Sequence, residues 1–384
     1  MSEPLSKASP PPFEPLSRGS AAMSPAEIFS ELSTDVIGQE STLRYVSVAI
    51  FKHIQGEPFG NLLMIGSSGT GKTTTMRAME RLYASTQAFE SYRVVIILNA
   101  NILANDEGVV DTTPLLHRLE ERARQLLGEN ARPQEIGRLM QHATVCIDEV
   151  DKVSSVVGGR PFVTGINIQQ ALLTLIEGET ILYSVRDPRG GAPTPVEIDS
   201  GRMLFLCAGA FETLYDQVFR RVISPKSGVK LPTTTTYEDG RVQIREHFTL
   251  VDHFKIEDLF DYGMQPQFLS RFDNAIILED LTPEVLRRIF LETRDSVFQR
   301  SKNFFRRYGI DLEITEDAAH RIAREAAKSN RIGARALKTV YSRIIKPFEF
   351  DPFSRPEVTT QGDGRRLVID KETVVKALHR EPGT

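Results

Sequence analysis

The sequence predicts an α/β fold, a mostly parallel sheet with helices on both faces, followed by a small, mainly helical C-terminal domain. Three observations carry this expectation. Short apolar runs alternate with longer amphipathic ones through most of the chain, the pattern of buried parallel strands joined by crossover helices. One of those runs leads directly into a glycine-rich loop and then into a helical pattern. After Leu281-Thr282-Pro283 the strand-like runs nearly vanish and helical periodicity takes over.

Taken in order, residues 1–23 are rich in Pro and Ser, include Pro10-Pro11-Pro12 and carry little apolar content, so a disordered tail is expected. Ser24-Pro25-Ala26-Glu27 has the capping-box pattern with Pro at the first helical position, which marks the start of the ordered fold. Candidate strands follow at 62–65, 94–98, 145–147, 203–207 and 275–278, with helical patterns at 74–82, 115–127 and 168–176. Clusters of Gly, Pro and Thr make 186–201 and 224–250 read as surface loops. Beyond residue 282 helical patterns cover 284–306, 315–328 and 334–345, with 366–369 as an edge strand and 371–378 as a last helix. The expected division is a tail over 1–23, a large domain over 24–281 and a small one over 282–384.

Composition narrows the function. The 384 residues are 40% hydrophobic and 26% charged, an ordinary globular balance. A net charge of -4 argues against a generally basic surface, so nucleic acid is not the expected partner. The two cysteines, Cys146 and Cys207, lie inside apolar runs and read as core residues rather than a disulfide, which suggests a reducing compartment such as the cytoplasm. The histidines show no metal-ligand spacing with them, and no zinc site is expected. No apolar run approaches a membrane span and no secretory pattern opens the chain, so no membrane association is expected.

The glycine-rich loop is Gly66-Ser67-Ser68-Gly69-Thr70-Gly71-Lys72-Thr73, a complete G-x-x-x-x-G-K-[ST] phosphate loop continuing into Thr74. Its glycines let the backbone curl so that successive N–H groups point at phosphate oxygens, and the following helix adds the positive end of its dipole. Residues 66–74 are therefore candidate nucleotide ligands, with Lys72 as the point charge on the β- and γ-phosphates and the Thr73 hydroxyl as a ligand to Mg²⁺. Downstream, the apolar run Ala143-Thr144-Val145-Cys146-Ile147 ends in Asp148-Glu149. Acidic pairs also follow strands at ordinary helix starts, but beside a phosphate loop one carboxylate can hold Mg²⁺ and the next can orient or deprotonate the attacking water. Asp148 is assigned to the metal and Glu149 to catalysis. ATP and Mg²⁺ are the expected cofactors.

These residues carry a more specific resemblance. Asp35-Val36-Ile37-Gly38-Gln39-Glu40, Ile147-Asp148-Glu149-Val150-Asp151-Lys152-Val153 and Gln169-Gln170-Ala171-Leu172-Leu173-Thr174-Leu175-Ile176-Glu177-Gly178 occur in order. Leu206-Cys207-Ala208-Gly209-Ala210-Phe211, Pro266-Gln267-Phe268-Leu269-Ser270-Arg271-Phe272 and Gly333-Ala334-Arg335-Ala336-Leu337 follow them. From about residue 33 onward the chain resembles the AAA+ family, in its ClpX-like (Clp/HslU) branch of protein unfoldases. The resemblance implies an AAA+ P-loop NTPase domain with a small C-terminal lid, working as a homo-oligomer, in the family a hexameric ring, on protein substrates. It implies that Ile37 lies at the adenine pocket. It implies that Arg271 is an arginine finger entering the neighbouring subunit's site, and that Arg335 is sensor 2, reaching the γ-phosphate from the small domain.

Departures from the family pattern bear on mechanism. The aromatic gripping loop of the family is replaced by Gly108-Val109-Val110-Asp111, which reads either as a weaker grip or as a simple turn. The second loop, 154–164, keeps Val156, Val157 and Phe162 as candidate substrate contacts, and the entrance loop keeps only Arg186 and Arg189. Neither the N-terminal zinc-binding domain nor an Ile-Gly-Phe tripeptide in 224–254 is present, which argues against a ClpP-type protease as partner. The expected function is an ATP-driven ring that remodels or threads proteins, with or without a protease. The alternative is a non-threading switch whose ATP-bound oligomer recruits or releases a partner.

Overall fold

The computed structural model describes residues 23–379 apart from 106, 188–190, 239–240, 247, 330–331, 354 and 362–363. The expected disordered tail, Met23 excepted, and Arg189 lie outside the described residues. The ordered chain opens on α1 (Pro25–Ser33), where the Ser24 hydroxyl accepts the Glu27 N–H at 3.3 Å and the Glu27 carboxylate accepts the Ser24 N–H at 2.7 Å. This is the reciprocal cap that the four-residue pattern encodes. Helix α2 (Glu40–Gln55) follows and stops at Gly56, whose φ of 65° takes the left-handed turn.

Five strands, β1 (Asn61–Ile65), β2 (Val95–Asn99), β3 (Thr144–Asp148), β4 (Leu204–Gly209) and β5 (Phe272–Ile277), form one sheet. All four pairings are parallel, in the order β5-β1-β4-β3-β2. Helices α3 (Lys72–Ser85), α4 (Thr113–Leu127), α5 (Pro133–Gln141) and α6 (Val163–Ile176) connect the first strands. Alternate residues of each strand feed opposite cores. Leu63, Ile65, Val145, Ile147, Phe205 and Cys207 pack to one side. Leu62, Met64, Cys146, Leu204, Leu206 and Ala208 pack to the other. Both faces are thus covered, and the two free cysteines sit on opposite sides of the sheet.

A third apolar cluster runs from Leu286 to Val374. It contains the helices Pro283–Glu292, Val297–Arg306, Glu316–Ala327, Arg335–Phe350 and Lys371–His379. The single helix expected over 284–306 is two, because Ser296 stops the run and caps the second helix by accepting the Gln299 N–H at 3.0 Å. The expected edge strand at 366–369 is instead the centre of a three-stranded sheet, Gly364–Ile369 lying between Ile310–Ile314 and Val358–Gln361. Both partners are short; Ile310–Ile314 is acidic at alternate positions and Val358–Gln361 is polar after its first residue, which hid them in the sequence.

The two segments expected to be loops also contain regular structure. Thr180–Val185 pairs with Thr194–Asp199, and Thr233–Glu238 pairs with Arg241–Glu246, both as antiparallel hairpins. Val185, Val196 and Ile198 of the first are buried in the main core. The Gly and Pro residues around 190 masked this short alternation. The hairpin is pinned to α4 by Glu120, a buried carboxylate that accepts from Arg124 Nε at 2.9 Å, the Tyr183 hydroxyl at 2.6 Å and the Arg186 N–H at 3.1 Å. Replacing it strands three donors together. We expect Glu120→Leu to lower unfolding stability by about 3 kcal/mol in urea titration, and Glu120→Gln by less, because a neutral acceptor remains.

Candidate active site

The carboxyl ends of β1, β3 and β4 meet at one edge of the sheet, where an α/β fold places its ligands. The phosphate loop leaves Ile65 and enters α3. Gly69 at φ 79° and Gly71 at φ 115° take conformations that a side chain resists. The first-turn amides of α3 have no intrahelical acceptors and face the loop's interior. Lys72 is buried and its ammonium donates to the Gly66 carbonyl and, at 2.9 Å, to the Ser67 carbonyl. Burial pulls the Lys72 ammonium below the ordinary lysine range, while the Asp148 and Asp151 carboxylates hold it up. Nearby Ser67 Oγ is buried with no hydrogen-bond partner among the described residues. An unpartnered hydroxyl, a desolvated ammonium and a curled amide ring suit a polyphosphate, so a nucleoside triphosphate fits these residues.

Thr73 and Asp148 are brought together as their pairing in the sequence suggested. The Thr73 hydroxyl donates to Asp148 Oδ2 at 2.7 Å across the gap between α3 and β3. That oxygen pair is the donor set a hard divalent cation takes, so Mg²⁺ fits as well. Glu149 follows at φ 60°, one of two non-glycine residues with positive φ among the described residues. Its N–H donates to Asp148 Oδ1 at 2.9 Å, and its carboxylate accepts from the Asn99 side-chain amide. Asn99 was missed in the sequence. The signal lies in the register, since Asn99 ends β2 directly opposite Asp148.

The site is a cleft of about 670 Å³ between the sheet edge and the C-terminal helices. Val36 and Ile37 form one apolar wall, facing Ile289, Phe290 and Leu337 on the other, a slot suited to a flat base. Gln39, nearly fully buried, ties this wall to the phosphate loop by donating to the Thr70 carbonyl at 3.1 Å and the Glu279 carbonyl at 2.8 Å. Ser68, Gly69, Thr70, Gly71, Lys72, Thr73 and Thr74 line the cleft, whereas Gly66 and Ser67 underlie it. Arg335 reaches in from the C-terminal part and donates to the Ser68 hydroxyl at 2.7 Å. Beside it the Ala334 N–H donates to the Gly69 carbonyl at 3.0 Å.

Arg271 stands apart from its own cleft. It is half exposed and paired with Glu177, the residue after α6. The two loops singled out for substrate contact lie side by side, since a side chain at Gly108 would come within 3.1 Å of the Thr164 hydroxyl. Val156–Val157 and Arg160–Pro161 pair across Gly158 and Gly159, both with positive φ. Val109, Val156, Val157 and Val163 are exposed. Phe162 is half-buried against Gly165, so Val163 takes the exposed place expected of Phe162. Arg186 is engaged with the His117 ring.

The family model for the AAA domain (Cdc48 subfamily) matches residues 57–275. An ATP-dependent Clp protease ATP-binding subunit ClpX of Treponema denticola is 29% identical over 380 residues, 94% of this chain and 83% of that protein. ClpX 3 of Methylococcus capsulatus is 30% identical over 377 residues, 91% of this chain and 80% of that protein. The chain belongs to the ClpX-like AAA+ ATPases.

Membership makes this ClpX-like chain a nucleotide-binding ATPase and accounts for its parallel sheet followed by a helical C-terminal region. No helix among the described residues is long and apolar enough to cross a membrane. The contact between the loop and the turn before Arg335 is tight enough to test. A methyl group at Gly69 would stand 2.3 Å from the Ile332 carbonyl oxygen. Gly69→Ala therefore carries both backbone strain and a clash, of order 1–3 kcal/mol, and should weaken binding of a fluorescent ATP analogue about tenfold or more.

Proposed function

We propose that this ClpX-like ATPase is a ring-forming remodeller that hydrolyses ATP at subunit interfaces and pulls on polypeptide substrates without a ClpP-type protease. The single observation that carries the reading is the rooting of the exposed valine loops on the catalytic edge. Asn99, bound to Glu149, opens the short helical turn Ala100–Leu103 that leads to Val109. Val150–Val153, next to Glu149 on the other side, leads directly to the Val156–Pro161 hairpin. A change at Glu149 is therefore transmitted to both loops by a few residues of backbone.

In this reading residues 24–281 form the large ATPase domain and 282–384 the lid. Lys72 and residues 66–74 hold the triphosphate, Thr73 and Asp148 hold Mg²⁺, and Ile37 packs on the base. Glu149 orients and deprotonates the attacking water. The ion held by Thr73 and Asp148 would supply positive charge to offset the charge that develops in the reaction. Arg335 senses the γ-phosphate from the lid, and Arg271 completes the site of the next subunit of a hexamer. The exposure of Arg271 away from its own cleft supports a role in trans. Segment 224–254 carries a hairpin and no Ile-Gly-Phe anchor, which supports independence from a protease. The buried free thiols support a reducing setting such as the cytoplasm.

A second reading, an ATP switch that recruits or releases a partner without threading, is favoured by Val109, whose contact area is small beside an aromatic side chain. Cryo-EM of the Glu149→Gln ring in ATP with an unfolded protein distinguishes the two. Chain density between the Val109 and Val157 loops is expected, and an empty channel together with undiminished remodelling by Val109→Ser/Val157→Ser would favour the switch. Glu149→Gln should lower hydrolysis by about 10²–10⁴-fold while retaining nucleotide. Arg271→Ala should lower kcat by about 10³-fold or more with nucleotide affinity nearly unchanged, and loss of binding instead would place Arg271 outside the transition state.

A further inference from the structure

Asp151 is a buried carboxylate whose charge bears on Lys72 but whose hydrogen bonding none of these roles uses, and its surroundings are unusual. The residue is 3% exposed. Its Oδ1 accepts the Ala210 N–H at 3.0 Å, joining the turn after β3 to the turn after β4. Its Oδ2 is buried without a hydrogen-bond partner among the described residues, and the Lys152 ammonium stands 3.6 Å away. Gly209 permits the approach, because a methyl group there would lie 2.9 Å from Oδ1.

The two turns that Asp151 joins are the strained ones. Glu149 at φ 60° lies two residues before it, and Phe211 at φ 48° lies one residue after Ala210. No other non-glycine residue among the described residues has positive φ. Such conformations cost free energy and persist only where neighbouring structure over-determines them. The carboxyl end of β4 offers Cys207, Ala208 and Gly209, none with a side chain able to hold the adjoining turn. The Phe211 ring, packed edge-on against Tyr262 at 5.1 Å, holds the second turn from its far side.

Resting on the ATPase reading, we infer that Asp151 is a positioning residue for hydrolysis, locking the strained turn that carries Glu149 to the turn after β4 through its bond to the Ala210 N–H. The acceptor oxygen performs this task. The negative charge is not required, since an amide oxygen at the same place accepts the same bond. Losing the bond lets the Glu149 turn relax, and misplacement of a catalytic group by about 1 Å costs on the order of 100-fold in rate.

Steady-state ATPase and fluorescent-nucleotide binding on the full chain test this with Asp151→Ala and Asp151→Asn. Asp151→Ala is expected to lower kcat between about 10- and 100-fold with nucleotide affinity within about threefold of wild type, and Asp151→Asn to restore kcat to within about threefold. Unchanged kcat in Asp151→Ala overturns the inference, and so does an Asp151→Asn as slow as Asp151→Ala, which would assign the effect to charge. Should Asp151→Ala fail to bind nucleotide or fold, Asp151→Ser, too short to reach Ala210, takes its place under the same criteria. Glu149→Gln run alongside keeps the two readings apart. If it retains activity, the assignment of the catalytic base fails, whatever Asp151 does.

Discussion

Parallel register is the constraint on which the rest depends. Ile65 of β1 pairs with Gly209 of β4, and Ile147 of β3 pairs with Cys207, so three strands reach their carboxyl ends at nearly one level. Buried strands must satisfy their backbone groups in neighbouring strands, and the two apolar faces permit no slip by one residue. That register delivers the phosphate loop, the Asp148-Glu149 pair and the Ala210 turn to a common edge. The Thr73–Asp148 hydrogen bond follows from it, as does the Asn99–Glu149 contact one strand further out.

The C-terminal helices add what the sheet edge lacks. A cleft open on one side binds a base weakly, and the second apolar wall comes from Ile289, Phe290 and Leu337. The phosphate loop and the turn before Arg335 also meet through backbone. Gly69 and Gly333 approach so closely that a side chain at Gly333 would stand 2.8 Å from the Ser68 and Gly69 carbonyl oxygens. Arg335 therefore has its position set at the loop itself. Rotation of the C-terminal part would move its guanidinium and the base wall together.

The exposed valines sit on loops whose backbone path is set by glycine. Glycines at 108, 158 and 159 supply the positive φ values that turn both loops back on themselves. The loops are thus built with care, while their tips present isopropyl groups. A valine side chain offers less apolar contact area than a tyrosine, so each tip presents a smaller surface to anything that meets it.

Much of this was legible in the sequence. The phosphate loop, the apolar strand ending in two carboxylates and the capping box at Ser24 are local patterns, and their physics acts over a few residues. The apolar runs located the five strands of the main sheet for the same reason. Elements defined by distant partners were misread. Gly364–Ile369 looked like an edge because Ile310–Ile314, half a domain earlier, was unrecognised, and Thr194–Asp199 looked like a loop because its burial depends on Thr180–Val185. Asn99 carries no local motif, and Asp151 lies within the motif that follows β3 but nothing in that motif points to its partner. They act through residues 50 and 59 positions away, and only the parallel register brings them there. The sequence by itself determined the nucleotide chemistry, because the loop and the acidic pair carry it in contiguous residues. Which side chains hold Glu149 in its strained conformation was decided by the tertiary structure alone, because strand pairing joins positions that no sequence period connects.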